Sequence, residues 1–237
     1  MTTGRVDTKD WIPNPSNAHV LKIDGPEIAN FEDQVKLFKS GEKDEVEFLR
    51  FRLRQGVYGQ RHPDAQMIRV KLPFGGVTAD QMDVLGEVAE KYAPLKKGHF
   101  TTRENVQYHH VPLGDTTDLL RTLGDAGMST REACGNVVRK VVAAPTAGVS
   151  KDEAFDVTPY AAAYARYFLR HPTTQNMPRK SKVAFSGSEK DEAMVLMHDV
   201  GMLARVRDGV RGFKIVVGGG LSTNAMMAKT LREFVPA

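Results

Sequence analysis

The chain has 237 residues, 41% hydrophobic and 26% charged, which is enough apolar material for a sizeable core in one or two domains and excludes a disordered tail. No apolar run approaches the ~18 residues of a membrane span, and the start "MTTGRVDTKDWIPNP" holds no apolar signal segment, so a cytoplasmic protein is expected. The net charge of +4 permits anionic partners of several classes, while the single cysteine, Cys134, excludes an intrachain disulfide and an all-cysteine metal site within these residues.

In chain order, residues 1–27 are rich in Pro, Asn and Asp and read as an irregular arm. Segments 28–40 and 44–55 are helical candidates, although "FLRFRLR" in the second also alternates. "QMIRVKLP" (66–73) reads as a strand closed by Pro73. Residues 78–92 carry Met82, Leu85, Val88, Ala89 and Tyr92 at helical spacing, with Thr78 placed as a cap. "HFTTR" (99–103) and "VQYHHV" (106–111) read as strands about a turn at Glu104-Asn105. A capped helix over 115–127 and a strand over 136–144 complete β-α-β-β-α-β, the ferredoxin-like order. Beyond it come a helix over 157–171, a loop entering a strand over 178–186, two strands within 201–220, and a helix over 222–234.

Basic residues recur inside these apolar strands: Arg69 and Lys71, Arg103, Arg139 and Lys140, then Arg179, Lys180 and Lys182. Taken singly, each reads as a solvated strand face. Gathered together they repel, by about 4 kcal/mol for a pair at 4 Å in an effective dielectric near 20, so a fold that gathers them needs an anion or buried acids in compensation. In "TTRENVQYHH" (101–110), Arg103, Gln107 and His109 are expected on one face, with Val106, Tyr108 and His110 on the other.

Five collinear motifs, "MIRVKLPFGG", "TTRENVQYH", "CGNVVRKV", "MPRKSKVAF" and "VVGGGLS", resemble the siroheme-dependent sulfite and nitrite reductases. The likeness runs from about residue 45 to near the end of the chain. It implies an α+β architecture: an N-terminal arm and helix (1–44), a ferredoxin-like half-domain (45–130), then an α/β siroheme-binding domain (131–237). It implies six-electron reduction of sulfite to sulfide, or of nitrite to ammonia, with siroheme and a [4Fe–4S] cluster, and electrons from ferredoxin or a flavoprotein. By position, Arg69, Arg139, Lys180 and Lys182 match the cationic quartet around the substrate anion. Arg103, Gln107, His109, Asn136 and Arg179 match residues that hold the macrocycle. Cluster ligands are expected outside this chain, because Cys134 matches none, so truncation, or a C-terminal half on a second chain, is expected.

Two other classes remain at this stage: a non-catalytic siroheme-binding or split-enzyme subunit, and a basic RNA-binding domain, which few aromatics and no basic blocks disfavour. "VVGGGLSTNAMMAKT" also admits a nucleotide loop, although it lacks the Gly-Lys-Ser/Thr ending. Adjacent strand histidines, His109 and His110, argue against a shared metal. Cys134 reads as a small buried residue, and Met226-Met227 as core or interface packing.

Overall fold

A computed structural model describes residues 20–21, 24–62 and 64–237, so most of the expected irregular arm lies outside the described residues. The chain forms two compact units, one of residues 20–140 and 170–182, the other of 141–169 and 183–237.

The first unit opens with helices α1 (Gly25–Lys39) and α2 (Glu45–Arg54). Asp24 caps the first by accepting from the Glu27 amide, and Asp44 caps the second by accepting from Val46 and Glu47. The cap and the buried face of Phe48 settle the ambiguous alternation of "FLRFRLR" in favour of a helix. Then follow β1 (Val57–Gly59), β2 (Ala65–Val70), α3 (Ala79–Tyr92), β3 (His99–Phe100), β4 (Val106–Pro112), α4 (Thr116–Asp125) and β5 (Val138–Ala143). Thr78 and Gln81 form a reciprocal capping box at the start of α3. The sheet order is β1-β2-β4-β3, with antiparallel pairing throughout.

The element order from β2 to β5 is β-α-β-β-α-β, as the sequence predicts. The last strand does not close this sheet, however. The edge beside β2 is taken by β1, a three-residue strand too short to be read from its pattern, and β5 belongs to the other sheet. Phe31, Phe48, Ile68, Val88, Tyr108 and Leu119 form the core between this sheet and its helices. Tyr108 is fully buried, and its hydroxyl donates to the Leu85 carbonyl at 2.8 Å.

The second unit contains α5 (Thr158–Phe168), β6 (Ser181–Ser186), β7 (Val200–Arg207), β8 (Val210–Val217) and β9 (Lys229–Pro236). The sheet order is β5-β6-β7-β8-β9, with β6 and β7 parallel and β7, β8 and β9 antiparallel. Asp208 and Gly209, at φ 52° and 76°, make the tight turn between β7 and β8. Phe155, Tyr160, Phe185 and Phe213 pack edge-on within 5.2–5.5 Å of one another where paired.

The helix expected over 222–234 is absent. Gly220 bridges Met226, and the chain returns as β9 along the open edge of β8. Local helix formers (Met-Met-Ala-Lys) lose there to ladder hydrogen bonds and to Thr230, Phe234 and Val235, which favour strands. Without a helix after the glycines, the nucleotide-loop reading fails. Met226 and Met227 are exposed, so they are not core residues.

A test of this strand follows from Gly212 on β8. A Cβ there would lie 2.5 Å from both the Phe234 ring and the Val235 carbonyl. Phe234 can rotate, but the carbonyl belongs to the β9 ladder. Gly212→Val is therefore expected to lower the unfolding free energy by ~1–3 kcal/mol in denaturant titrations. An unchanged midpoint would mean that 229–236 does not pair there.

Candidate functional site

Arg69 on β2 stands directly opposite Gln107 on β4, and Gln107 stands opposite His99 on β3. With the Gln107 amide oxygen turned towards Arg69, it accepts from Nε at 2.7 Å and Nη2 at 2.6 Å. Arg139, at the start of β5, turns back on its own loop. Its Nε donates to the Gly135 carbonyl at 2.7 Å and its Nη1 to the Ala133 carbonyl at 3.0 Å. Arg69 Nη1 reaches the same Ala133 carbonyl at 3.4 Å. One backbone oxygen thus anchors both guanidinium groups.

The "TTREN" turn is held by the Thr101 hydroxyl, which accepts from the amides of Arg103 and Asn105. Glu104 sits at φ 55°, beside Gly75 at φ 78°, where any Cβ would approach the Glu104 carboxylate within 2.6 Å. That contact explains one glycine of "PFGG". Arg103 and Lys140 then lock reciprocally: Arg103 Nη2 donates to the Lys140 carbonyl at 2.9 Å, and Lys140 Nζ donates to the Arg103 carbonyl. Glu104 lies 3.5 Å from Lys140 Nζ.

These side chains converge with Lys180 and Lys182 on a cleft of 240 Å³, which Thr101, Thr102, Asn105, Gln107 and Ala133 also line. Six cations (Arg69, Arg103, Arg139, Lys140, Lys180 and Lys182) face it, and among the described residues no carboxylate does. Burial lowers the pKa of Lys180, and the fields of Lys182, Arg139, Arg179 and Arg69 lower it further. Burial first, then Arg69, also disfavours the charge on Arg139, and burial pushes Lys140 down with Arg103 adding to it and Glu104 opposing.

All four residues of the expected quartet line the cleft, as do Arg103 and Gln107. His109, Asn136 and Arg179 do not. His109 Nδ1 lies 3.3 Å from Gln60 Nε2 and its ring stands edge-on to His99; its pKa is lowered by burial, then by His99, His110 and Arg69. Asn136 is exposed and its carbonyl accepts from the Met177 amide. Arg179 is exposed, and its field reaches Lys180.

The expected inward orientation of His110 is corrected by a bulge. The β2–β4 register shifts between Gln66 and Ile68, His110 takes φ 62°, and Val111 occupies the core face instead, leaving both histidines half-buried. Cys134 is a buried free thiol, its pKa raised by burial against the pull of Arg69 and Arg139.

Lys140, Asn105, Thr101 and Thr102 were missed as site residues. Alternation along a strand separates Lys140 from Arg139, and only the backward turn of Arg139 brings both to one cleft. Asn105 carries a signal visible only in three dimensions: its buried Oδ1 has no hydrogen-bond partner.

A second depression, of 760 Å³, lies in the other unit, where cations and acids mix along the lining and several are paired: Arg205 with Glu189 and Glu233, and Lys190 with Asp152. Among the described residues, no cluster of His, Cys, Asp or Glu is arranged for a metal, and no helix is long and apolar enough to cross a membrane.

Two family models match in tandem. The "Nitrite/Sulfite reductase ferredoxin-like half domain" covers residues 58–126, and the "Nitrite and sulphite reductase 4Fe-4S domain" covers residues 134–237. The chain belongs to the nitrite and sulfite reductase family. A sulfite reductase [ferredoxin] of Mycobacterium tuberculosis (strain CDC 1551 / Oshkosh) is 34% identical over 176 residues, 72% of this chain and 30% of the relative. A ferredoxin–nitrite reductase of Leptolyngbya laminosa is 29% identical over 160 residues, 66% of this chain and 31% of the relative. The solved structure of the Mycobacterium tuberculosis NirA protein superimposes with a TM-score of 0.74 at 27% identity, covering 89% of this chain and 44% of that one. Dissimilatory sulfite reductase I shares the fold, with a TM-score of 0.61 at 11% identity. The chain spans about a third of the length of these curated relatives.

Family members use siroheme and a [4Fe–4S] cluster. A donor set of six cations suits the carboxylates of the macrocycle and a small oxyanion. A volume of 240 Å³ is below the roughly 300–1,000 Å³ of sites that enclose a drug-sized ligand, so the cleft fits the oxyanion whole and a macrocycle only at its periphery. One cysteine cannot supply the four thiolates of a cluster.

The lowered lysine pKa values have a definite sign. Between the lowered folded value and the ordinary lysine value near 10.4, the unfolded chain binds more protons than the folded one, so stability rises with pH in that window. Without added anions, the unfolding free energy is expected to increase from neutral pH towards about pH 10, and less steeply in Lys180→Met. A bound oxyanion restores the charged form, so its binding above neutral pH is expected to take up protons, measurable by calorimetry in buffers of different ionisation enthalpy.

Proposed function

We propose that this chain supplies the oxyanion cleft and part of the siroheme cradle of a sulfite reductase, an oxidoreductase that takes sulfite to sulfide by six electrons. One observation carries the reading: Arg69, Arg139, Lys180 and Lys182, from three separate places in the sequence, meet in a cleft with no facing carboxylate among the described residues. Fixed cations draw a dianion out of water and match the charge that develops on its oxygens as they leave.

Siroheme, when bound, would supply a redox-active iron that passes the donor's electrons to the anion. The residues of this chain bind, orient and protonate. Arg69 and Arg139, pinned by Gln107 and by the carbonyls of Ala133 and Gly135, orient the oxyanion. Lys180, whose neighbours and burial loosen its proton, serves with Lys182 as a donor at Nζ towards the departing oxygens. Arg103 and Gln107 hold macrocycle carboxylates, with His109, Asn136 and Arg179 further out. Ferredoxin is the proposed electron donor, after the names of the relatives. A C-terminal part carrying the cluster thiolates, joined to this segment or on a second chain, completes the enzyme.

Reduction of nitrite to ammonia is the second reading, favoured by ferredoxin–nitrite reductases of similar identity, such as that of Zea mays at 34%. Cation number favours sulfite, because a dianion gains more from the same charges than a monoanion.

In titration calorimetry of the full chain at low salt, sulfite is expected to bind more tightly than nitrite, and Arg139→Ala to weaken sulfite at least tenfold. Coexpression with siroheme synthesis is expected to give a coloured protein, with colour retained in Lys182→Met. A colourless chain that binds neither anion and retains RNA in a salt-dependent way would overturn the proposal.

A further inference from the structure

Beside the cleft, within the same unit, lies a second group of cations whose charges are balanced. Lys71, Arg131 and Arg170 meet Glu132, Glu27 and Asp24. Its centre is Glu132, which is fully buried, held at φ 61°, and matched to no motif of the sequence. A bulky residue in the left-handed region persists only where its surroundings over-determine it, and such sites concentrate near function.

The two carboxylate oxygens of Glu132 lead towards different walls of the cleft. Oε2 lies 3.3 Å from Lys71 Nζ, two residues along the chain from Arg69. Oε1 accepts from the Arg170 amide and from Gln175 Nε2, both at 2.7 Å, and these begin the segment that ends in Lys180 and Lys182. The Glu132 amide donates to the Arg54 carbonyl at 2.7 Å. The next residue is Ala133, whose carbonyl receives both Arg69 and Arg139.

We infer that Glu132 is a positioning residue for the oxyanion cleft: one buried carboxylate fixes the Ala133 carbonyl under the two arginines and ties in the segment that carries the two lysines. The inference rests on the reading of the cleft as an oxyanion site. Glu132 touches no substrate itself. It sets the spacing of the cations that do, 61 residues from Lys71 and 43 from Gln175 along the chain.

Two double variants of the full chain test this. Lys71→Met/Glu132→Leu, the apolar variant, removes both charges together, so no buried charge is left unpaired. Lys71→Met/Glu132→Gln, the amide variant, also removes both charges but keeps an oxygen to accept from Arg170 and Gln175. The apolar variant is expected to bind sulfite at least tenfold more weakly and to lose proton uptake on binding. The amide variant is expected to recover to within about threefold of the unaltered chain. An independent readout needs no anion: the hydrogen-bonded Arg69 and Arg139 Nε–H resonances are expected to be shifted and slow to exchange in the unaltered chain, and to collapse to free-arginine values in the apolar variant only. If both double variants keep those resonances and the sulfite affinity, Glu132 does not position the cleft. If the apolar variant fails to fold, loss of the resonances in the folded amide variant equally overturns the role assigned to the Oε1 contacts. If the unaltered chain binds no sulfite, the oxyanion reading falls, while the resonances still decide whether Glu132 holds the arginines.

Discussion

The buried pair of Lys71 and Glu132 is the constraint on which the first unit depends. Removing two charges from water costs several kcal/mol per ion, and attraction at 3.3 Å offsets that only if the remaining lone pairs are satisfied. Here they are: Glu132 also accepts from the Arg170 amide and from Gln175, and Lys71 Nζ reaches the Val138 carbonyl at 3.5 Å. Breaking such a pair singly costs about 3–5 kcal/mol, whereas replacing both members is often neutral. The pair is therefore better understood as fixing one arrangement of three chain segments than as a source of stability.

That arrangement divides the unit into two electrostatic regimes. Around Glu132, three acids meet three cations and the field nearly cancels. In the adjacent cleft, six cations line the walls, with Glu104 as a flanking acid 3.5 Å from Lys140. The cost of the second regime is borne by backbone: carbonyls of Ala133, Gly135, Lys140 and Arg103 accept from the crowded side chains, supplying partial negative charge without neutralising them. Carbonyl dipoles offset part of the repulsion among the cations without cancelling their charge.

The sequence carried the cleft better than it carried the sheet edges. Arg103 and Gln107 were legible because strand alternation and the "TTREN" turn put them on one face, whereas Arg69 was assigned through the family resemblance and the register then pairs it with Gln107 directly. Arg139, Lys180 and Lys182 were assigned through the family resemblance, since no spacing rule brings residue 139 to residue 69. Glu132 was invisible: an acid in "STREACGN" reads as a solvated loop, and only tertiary contacts bury it. His110 was misplaced because a one-residue bulge reverses alternation and leaves no local mark beyond an unusual φ. The strand 229–236 was misread because "MMAKTLREF" has helical propensity, while the open edge of β8 that captures it lies elsewhere in the chain.

These residues supply charge and thiols unequally: six cations line one cleft, and a single cysteine is present. Capture of an oxyanion, as proposed, needs fixed cations with little room to move, and the inferred role of the buried Glu132 is to supply that rigidity to β2, one loop and one short segment. Electron delivery needs four thiolates, at least three of which must come from outside these 237 residues. In the oxyanion reading the two demands conflict, because a thiolate beside the six cations would compete with the anion for their charge. Cys134 shows the conflict in miniature: it lies in the field of Arg69 and Arg139, which favour its thiolate, yet burial outweighs them and keeps the sulfur neutral. A neutral Cys134 leaves the charge of the arginines to the proposed oxyanion.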